Sequence, residues 1–448
     1  MLKKTIYFYF FLSISFSSYA NTRELEKPAY IKPTFQIQQW ETQNQVPVYF
    51  VQVKDLPIID IALTFNAGSA RDDAKPGLAY LTNAMLTEKK ISLMSENPNL
   101  ADMGAVFYKK IDSDKATLYL RSVSYPNEFK KALELFKRIL EFPTITPKNF
   151  DYRYQGMRDK IRQIQDNIRK KGRLALLKLI YPNHPYGNSL LGMEKQLKTI
   201  SLNDVKDFYG TYYTNSNLSI MMVGDIEREQ VEEIAEEISQ ILKQGKASLP
   251  IPLAQKKQTS NIIQTIHFNS KQTSLLMGQV CISPNDPDFY PLVVGNQILG
   301  SGALISRLGH EIRIKRGLAY IVSSHFYPME GKGPFIINIE TSPAKAQLVL
   351  TLVQNELQKF IEEGPTQKEV NFAQKKLIGN FPLLFSSNIK ILEQLIYISF
   401  YKLPLNYLEH YQERIASVTK EDIKKAFKRH IKLNQWVITI TGTMKEKE

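Results

Sequence analysis

Arg313 and Tyr320 are the pair of side chains whose types and spacing offer the clearest chemistry in this sequence. They lie seven residues apart in the run Arg-Ile-Lys-Arg-Gly-Leu-Ala-Tyr. A guanidinium and a phenol hydroxyl that reach the same point can bind an oxygen atom on which negative charge develops. Gly317 separates a predicted helix that ends near Arg316 from a predicted strand that begins near Tyr320, so we expect both side chains to reach one cleft. The alternative is an exposed Arg on a charged helix and a half-buried Tyr on a strand.

Residues that could hold a metal are few. The chain has six His and one Cys, Cys281, so no cysteine cluster exists for zinc or an iron–sulfur centre. No His stands three to five residues from another His, and His310-Glu311 lacks a second His four residues beyond. We therefore expect no metal site. The alternative is that distant histidines such as His184 and His325 converge on a metal in space.

The segment around Arg313 resembles the pitrilysin/insulinase-type zinc metallopeptidases, in the branch that includes the mitochondrial processing peptidase. In that family a glycine-rich segment, a Ser-Arg-Leu triplet and an Arg-x-x-x-Gly-Leu-x-Tyr motif follow one another in the second half. The corresponding residues here are Gly300-Ser301-Gly302, Ser306-Arg307-Leu308 and Arg313 with Tyr320. The resemblance implies that Arg313 and Tyr320 bind substrate and stabilise the transition state, and that Gly300, Ser301 and Gly302 form a substrate loop.

The resemblance extends over nearly the whole chain beyond its first residues. First-half landmarks are also present, namely His184-Pro185-Tyr186-Gly187, Gly192 and residues 217–225. It implies a clamshell-like half-chamber in which each half of the chain contributes one unit.

The zinc motif of that family is missing at the place where the resemblance puts it. Family members with peptidase activity have His-x-x-Glu-His, in which two His one helical turn apart hold zinc and the Glu is the general base. The three positions are occupied here by Tyr80, Asn83 and Ala84. Asn83 cannot take a proton from water at neutral pH, and Ala84 has no donor atom. The third ligand, a Glu, would fall within Asp159-Lys160-Ile161, so we expect no zinc and no peptidase activity in the isolated chain.

Residues 151–178 form a strongly basic segment that is predicted to be one helix. It contains nine Lys or Arg and three Asp. The resemblance places such a helix beside the substrate chamber, where it would attract acidic peptides with an affinity that salt weakens. The alternative is an ordinary solvated helix face. Nucleic acid is not an expected partner, because no basic motif interleaved with aromatic residues is present.

The first twenty residues have the order of a secretory signal. Lys3 and Lys4 precede an apolar run over residues 6–16, and Ser18 and Ala20 supply small residues before a cleavage point. We expect residues 1–20 to be removed and the protein to be periplasmic, which the near absence of Cys also favours. The alternative is an uncleaved membrane anchor. No later segment has eighteen consecutive apolar residues, so no stable membrane insertion is expected after cleavage.

The rest of the chain reads as two related halves of α+β class. Its 448 residues are 43% hydrophobic, which excludes a disordered or disulfide-stapled chain and is enough for about two to four packing units. Residues 203–224 and 421–442 align without a gap, and both read as an amphipathic helix, a turn and an apolar strand ended by Gly. The alternative is a chance similarity of two common units.

We therefore predict two homologous halves, each a mainly antiparallel sheet with packed helices. The predicted boundaries are 1–20 for the signal peptide, 21–243 for the N-terminal half, 244–258 for the linker and 259–448 for the C-terminal half.

Two functional hypotheses follow from the resemblance. The first is a periplasmic, non-catalytic subunit that pairs with a homologous zinc-bearing peptidase and takes a peptide or an unfolded protein as substrate. In that case zinc belongs to the partner, and Arg313 and Tyr320 act on substrate cut there. The second is a structural or peptide-binding scaffold with no catalytic partner, in which the pair is a remnant. An independent enzyme with another site has little support, because we find no nucleophile elbow or phosphate loop.

Overall fold

The computed structural model describes residues 30–87, 100–255 and 259–443. The predicted signal peptide lies outside the described residues. Two mixed β-sheets, one in each half, form the framework. The strands of the first sheet are β1 (Gln38–Glu41), β2 (Pro47–Gln52), β3 (Ile58–Phe65), β4 (Val106–Ile111), β5 (Ala116–Val123) and β6 (Leu218–Gly224). Those of the second are β7 (Ile262–His267), β8 (Thr273–Val280), β9 (Ala319–Phe326), β10 (Pro334–Thr341) and β11 (Val437–Gly442).

The strand orders are β1-β2-β6-β3-β5-β4 and β7-β11-β8-β10-β9. Within each sheet one pair is parallel, β2 with β6 and β7 with β11, and the other neighbours are antiparallel. The predicted α+β class, with a mainly antiparallel sheet and packed helices in each half, is confirmed.

Helices cover both sheets. Their bounds are α1 (Leu78–Met85), α2 (Pro126–Glu141), α3 (Pro147–Gln165), α4 (Ile168–Ile180), α5 (Glu194–Leu197), α6 (Leu202–Tyr212), α7 (Arg228–Ile241), α8 (Phe289–Asn296), α9 (Ala346–Glu363), α10 (Gln367–Asn380), α11 (Asn388–Phe400), α12 (Tyr407–Ser417) and α13 (Lys420–His430). Two π-helical segments, Gln297–Ser301 and Gly309–Ile314, interrupt the second half. Within the described ranges, no helix has the length and apolar character needed to cross a membrane.

The two helix–turn–strand units expected from the sequence form and occupy equivalent places. Helix α6 begins at a capping box between Ser201 and Asp204, and α13 begins at one between Thr419 and Asp422. The strand that follows each helix, β6 or β11, inserts between a parallel and an antiparallel neighbour. The two sheets thus share a core topology, and a common origin of the two halves remains a prediction.

The basic segment 151–178 is two helices instead of the predicted one. Helix α3 ends at Gln165, and the Asn167 side chain accepts a hydrogen bond from the backbone N–H of Lys170 to start α4. The break allows α3 to pack beside α1 in the N-terminal half while α4 crosses to the second sheet. A side chain at Gly172 would place Cβ 2.6 Å from Thr441 Oγ1, so this crossing needs a glycine.

Each sheet is covered on one face by a helix of the opposite half. Helix α4 packs on β8 and β11, and its Leu176 and Ile180 are buried with Leu276. Helix α11 packs on β2, β3 and β6, where Leu392 and Met221 share a buried cluster. The two halves therefore exchange one helix each across their junction.

A buried carboxylate, Asp114, also joins the halves. It accepts hydrogen bonds from Tyr186 Oη at 2.5 Å, from Tyr401 Oη at 2.9 Å and from the backbone N–H of Glu330 at 3.1 Å. Burial raises the pKa of Asp114. The described part of the predicted linker, residues 244–255, runs beside this junction, and Ile251 within it is buried, whereas residues 256–258 lie outside the described residues.

Candidate functional site

A β-bulge presents Tyr320 to solvent. In the pairing of β9 with β10, Ile321 faces Glu340 and Ala319 faces Thr341, which leaves Tyr320 between them without a partner. An extra residue of this kind bends the strand and redirects a side chain, and bulges are frequent next to functional sites. The Tyr320 side chain is 71% exposed, although it lies in a strand whose neighbours Ala319 and Val322 are buried.

Arg313 reaches Tyr320 from a π-helical segment. The backbone N–H of Lys315 donates to the carbonyl of His310 at 2.8 Å, which is the wide-turn bond of that segment. Gly317 then adopts a φ of +59° and its N–H donates to Arg313 O at 3.1 Å, so the chain turns into β9 where the sequence predicted a break. The Arg313 Cζ atom lies 5.0 Å from the centre of the Tyr320 ring.

Arg313 and Tyr320 line one open cleft of about 390 Å³, which we call the Arg–Tyr cleft. Its other walls are Lys271, Gln272, residues 317–319, residues 340–342 and Lys345. The structure thus brings the two residues together as the sequence predicted, and their action on a substrate remains a prediction.

The sequence interpretation missed three charged residues of the Arg–Tyr cleft. Lys271 and Lys345 are exposed on its walls, whereas Glu340 is only 2% exposed. Glu340 Oε1 accepts from Arg169 Nε at 2.9 Å and from Ser274 Oγ at 3.1 Å. Burial raises the pKa of Glu340. The signal in the sequence for Glu340 is an acidic residue in the mostly apolar strand β10.

Tyr80, at the first position of the missing zinc motif, accepts a hydrogen bond from a lysine. Lys160 Nζ donates to Tyr80 Oη at 2.6 Å and lies 5.2 Å from the centre of the same ring. Lys160 belongs to α3, in the segment where the family resemblance implies the third zinc ligand. Asp159, the other polar residue of that segment, is exposed.

The two remaining positions of the motif are part of the packing of α1. Asn83 Nδ2 donates to Tyr213 Oη at 3.3 Å. Lys109 Nζ donates to the carbonyls of Asn83, at 2.7 Å, and Ala84, at 3.2 Å, which closes the end of the helix. Burial, with a smaller contribution from the nearby Arg153, lowers the pKa of Lys109 to about 7.

These donors do not fit zinc. The family motif supplies two imidazoles and a carboxylate. This chain has instead a phenol that already accepts from an ammonium group, an amide that donates to a phenol, and a methyl group. The positive charge of Lys160 stands beside the only ligand-capable oxygen of Tyr80, where it would repel a divalent cation.

One group of three metal-capable side chains lies close together in the part of the chain that the structure describes, namely Asp286, Asp288 and His430. The Asp288 carboxylate already accepts from His430 Nε2 at 2.8 Å and from Arg429 Nη1 at 2.7 Å, so this group forms a hydrogen-bond network. His184 does not join His325 in such a group, and its two ring nitrogens contact Pro252 O and the Tyr186 N–H.

Close packing explains why the segment Gly300-Ser301-Gly302 has glycine at its first and third positions. A Cβ at Gly300 would lie 2.1 Å from Ser324 Oγ, and one at Gly302 would lie 2.5 Å from Gln297 O. Ser301 Oγ donates to Gln297 Oε1 at 3.3 Å. Both glycines are buried, and the exposed residues that follow are Ala303, Leu304 and Ile305. A contact between this segment and substrate remains a prediction.

The protein has the architecture of a peptidase-like clamshell. Its two sheets are joined by exchanged helices, and the Arg–Tyr cleft lies in the second half. Residues 51–194 match the family model described as insulinase (peptidase family M16), and residues 199–377 match the one described as peptidase M16 inactive domain. A crystal structure of a peptidase M16 inactive domain from Pseudomonas fluorescens is 35% identical, with a TM-score of 0.86 over 92% of this chain and 99% of that one. The chain belongs to the M16 family.

Two further relatives differ in how far they resemble this chain. The non-peptidase homolog YmxG of Helicobacter pylori is 25% identical over 424 residues, which cover 90% of this chain and 93% of that protein. The periplasmic protease PqqL of Escherichia coli shares the fold alone, with 14% identity and a TM-score of 0.72. This chain aligns over 93% of its own length with 47% of PqqL, and so corresponds to about half of that larger protein.

Proposed function

We propose that this protein is a non-catalytic M16 subunit that completes the substrate chamber of a zinc-bearing M16 peptidase in the periplasm. The observation that carries the proposal is a contrast between two sites. The first zinc-motif position of α1, Tyr80, is hydrogen-bonded to Lys160, whereas Arg313 and Tyr320 lie together in an open cleft. A chain that has replaced the metal site and kept the substrate-contacting pair suits a companion subunit.

In this proposal the chain itself binds no zinc on α1 and cuts no peptide alone. The name of the Helicobacter pylori relative, a non-peptidase homolog, supports this assignment. The metal and the general base would come from the partner, and this chain would supply the opposite wall of the chamber. Export by the predicted signal peptide would place this chain in the periplasm, where it would meet a partner that is itself exported.

Arg313 and Tyr320 would contact the substrate directly. The guanidinium and the phenol hydroxyl are hydrogen-bond donors that can be aimed at a peptide carbonyl oxygen, and they stabilise negative charge that develops there. The cation–π contact keeps the guanidinium beside the ring, and the bulge keeps the ring in the open cleft. Little rearrangement of the pair is then needed when substrate arrives.

The test is a cleavage assay with and without the partner. The mature chain is co-expressed with the exported M16 chain of the same genome that has an intact His-x-x-Glu-His motif, and turnover of a fluorogenic peptide is measured. We expect no cleavage by this chain alone and cleavage by the pair. We expect R313A and Y320F to lower turnover by roughly 10- to 100-fold, because each removes a donor to the developing oxyanion.

The matched control is R316A. Arg316 stands three residues after Arg313 in the same basic run, but it contacts Glu311 and does not line the cleft. We expect R316A to leave turnover unchanged. If R313A and Y320F form the complex and cleave as fast as the unchanged pair, the assigned role is wrong.

The second candidate is a scaffold without a catalytic partner. The occupied zinc-motif positions favour it equally, because a Tyr80–Lys160 contact serves packing as well as it serves a companion subunit. The same experiment separates the two. If the protein is a scaffold, we expect no stable complex with the zinc-bearing chain, or a complex in which peptide cleavage does not need this subunit.

A further inference from the structure

We infer that the Arg–Tyr cleft selects an acidic segment of peptide, and that Lys271 and Lys345 determine this selectivity. The inference rests on the proposed function in one respect, namely that a peptide enters this cleft. It adds the chemical class of that peptide and two residues that the family motif does not include.

The exposed rim of the cleft is cationic. Lys271, Arg313 and Lys345 lie on its walls, and none of them pairs with a carboxylate of the described residues. The ammonium group of Lys345 donates a hydrogen bond to Gly317 O at 3.4 Å. Three positive charges around one opening of about 390 Å³ attract an anion and disfavour a cation.

The single acidic side chain among the described residues of the cleft does not cancel this charge. Glu340 is 2% exposed, and its Oε1 atom is bound to the guanidinium of Arg169. Its Oε2 atom is also buried. A ligand on the rim therefore meets lysine and arginine side chains, while the carboxylate of Glu340 is compensated beneath them by a charge from α4.

Tyr320 adds an apolar surface between the charges. Its ring is 71% exposed, and Arg313 lies against it. A peptide that places an Asp or Glu side chain near Lys271 or Lys345 can pack a neighbouring residue on this ring. The cleft therefore suits an acidic segment that also carries apolar side chains.

Binding of labelled peptides to the mature chain tests the inference. The probes are a fluorescein-labelled, Glu-rich peptide with an amidated C-terminus, the matched peptide in which every Glu is Gln, and the Gln peptide with a free C-terminal carboxylate. We expect the Glu peptide to bind tighter than both Gln peptides in fluorescence anisotropy. Its affinity should fall with added salt. Tighter binding of the free-carboxylate Gln peptide than of the Glu peptide would overturn recognition of acidic side chains.

Variants assign the effect to the two lysines. K271Q and K345Q should each weaken binding of the Glu peptide by roughly two- to fivefold, the range for single exposed ion pairs, and leave the Gln peptide unaffected. The control is K130Q, because Lys130 is an exposed lysine of α2 in the N-terminal half. We expect K271E/K345E to prefer a matched Lys peptide.

The inference is wrong if the Glu and Gln peptides bind equally, or if K271Q and K345Q weaken binding of the Glu peptide no more than K130Q does. It is also wrong if a labelled single-stranded oligonucleotide binds more tightly than the Glu peptide through the same lysines. The assay contains no zinc-bearing subunit and measures no cleavage. Its failure is therefore distinct from failure of the proposed companion role.

Discussion

Tyr80 and Lys160 replace a metal–ligand contact by a hydrogen bond between a phenol and an ammonium group. The two atoms are 2.6 Å apart, and the residues are 80 positions apart in the chain. The ammonium places a positive charge beside Tyr80, which stands at the first position of the altered zinc motif. Charge, as well as the missing ligands, therefore disfavours a divalent cation at this site.

This charge makes a prediction about restoring zinc. The variant Y80H/N83E/A84H rebuilds the motif on α1, yet Lys160 remains beside the first ligand. We expect Y80H/N83E/A84H/K160E to bind zinc at least about tenfold tighter than the triple variant, because it exchanges a repelling cation for a carboxylate ligand. Zinc affinity is measured by competition with a chromogenic chelator.

A charge-matched control accompanies that experiment. Lys170 is an exposed lysine of α4, and Y80H/N83E/A84H/K170E changes the net charge by the same amount. We expect its zinc affinity to equal that of the triple variant. If both quadruple variants bind zinc equally, Lys160 has no specific effect on zinc affinity.

Two irregular elements present the Arg–Tyr pair. A bulge in β9 turns Tyr320 outward, and a π-helical segment carries Arg313 to the same cleft. The other π-helical segment, Gln297–Ser301, packs Gly300 against Ser324 of β9. The glycines of this segment therefore support the strand that holds Tyr320, whatever their part in contacting substrate.

This packing predicts the effect of a single methyl group. G300A would place Cβ 2.1 Å from Ser324 Oγ and 2.8 Å from its backbone N, so β9 or the π-helical segment must move. We expect the free energy of unfolding to fall by about 1–3 kcal/mol, the usual cost of overpacking a buried site. Urea unfolding monitored by circular dichroism measures the change.

Gly156 provides the matched control. It lies within α3, and a Cβ there would have no heavy atom within 4 Å. We expect G156A to raise the free energy of unfolding by up to about 1 kcal/mol, because alanine is the better helix former. Equal stabilities of G300A and the unchanged protein would contradict the packing assigned to Gly300.

At the scale of the whole molecule, the two halves complete each other. Helix α4 covers the second sheet and α11 covers the first, so each sheet buries one face against the opposite half. Asp114 adds hydrogen bonds from Tyr186 and Tyr401 at the same junction. Substantial apolar area is thus buried only when both halves are present.

The exchange of helices predicts that the N-terminal half fails to fold stably alone. Without α11, residues 21–243 would expose the sheet face that contains Val51, Met221 and Val223. We expect this fragment to aggregate or to bind a hydrophobic dye when expressed alone, and to copurify with residues 259–448 when both are co-expressed. Size-exclusion chromatography distinguishes the outcomes.

Two variants of the C-terminal fragment test whether α11 is responsible. Leu392 is buried against the first sheet, whereas Lys390 is exposed. We expect L392D to abolish copurification and K390Q to preserve it. A monomeric, dye-negative N-terminal fragment would show that the exchange of helices is not needed for folding.

The sequence by itself determined the features that depend on short-range patterns. Local periodicity predicted the helix–turn–strand units, and a single glycine predicted the turn at Gly317. The identities of Tyr80, Asn83 and Ala84 indicated the altered metal motif. The order of strand-like and helix-like runs also indicated the α+β class with mainly antiparallel sheets. Each of these signals lies within a few consecutive residues, where backbone preferences and side-chain spacing decide the structure.

Tertiary structure alone decided which distant groups meet. Segment 151–178 has the periodicity of one helix, but packing on two different sheets divides it at Asn167. Strand register brings Glu340 and a bulged Tyr320 to the cleft, and the crossing of α4 adds Arg169. Lys271 and Lys345 join them from separate turns. These contacts depend on how sheets and helices pack over long sequence separations, which local propensity does not encode.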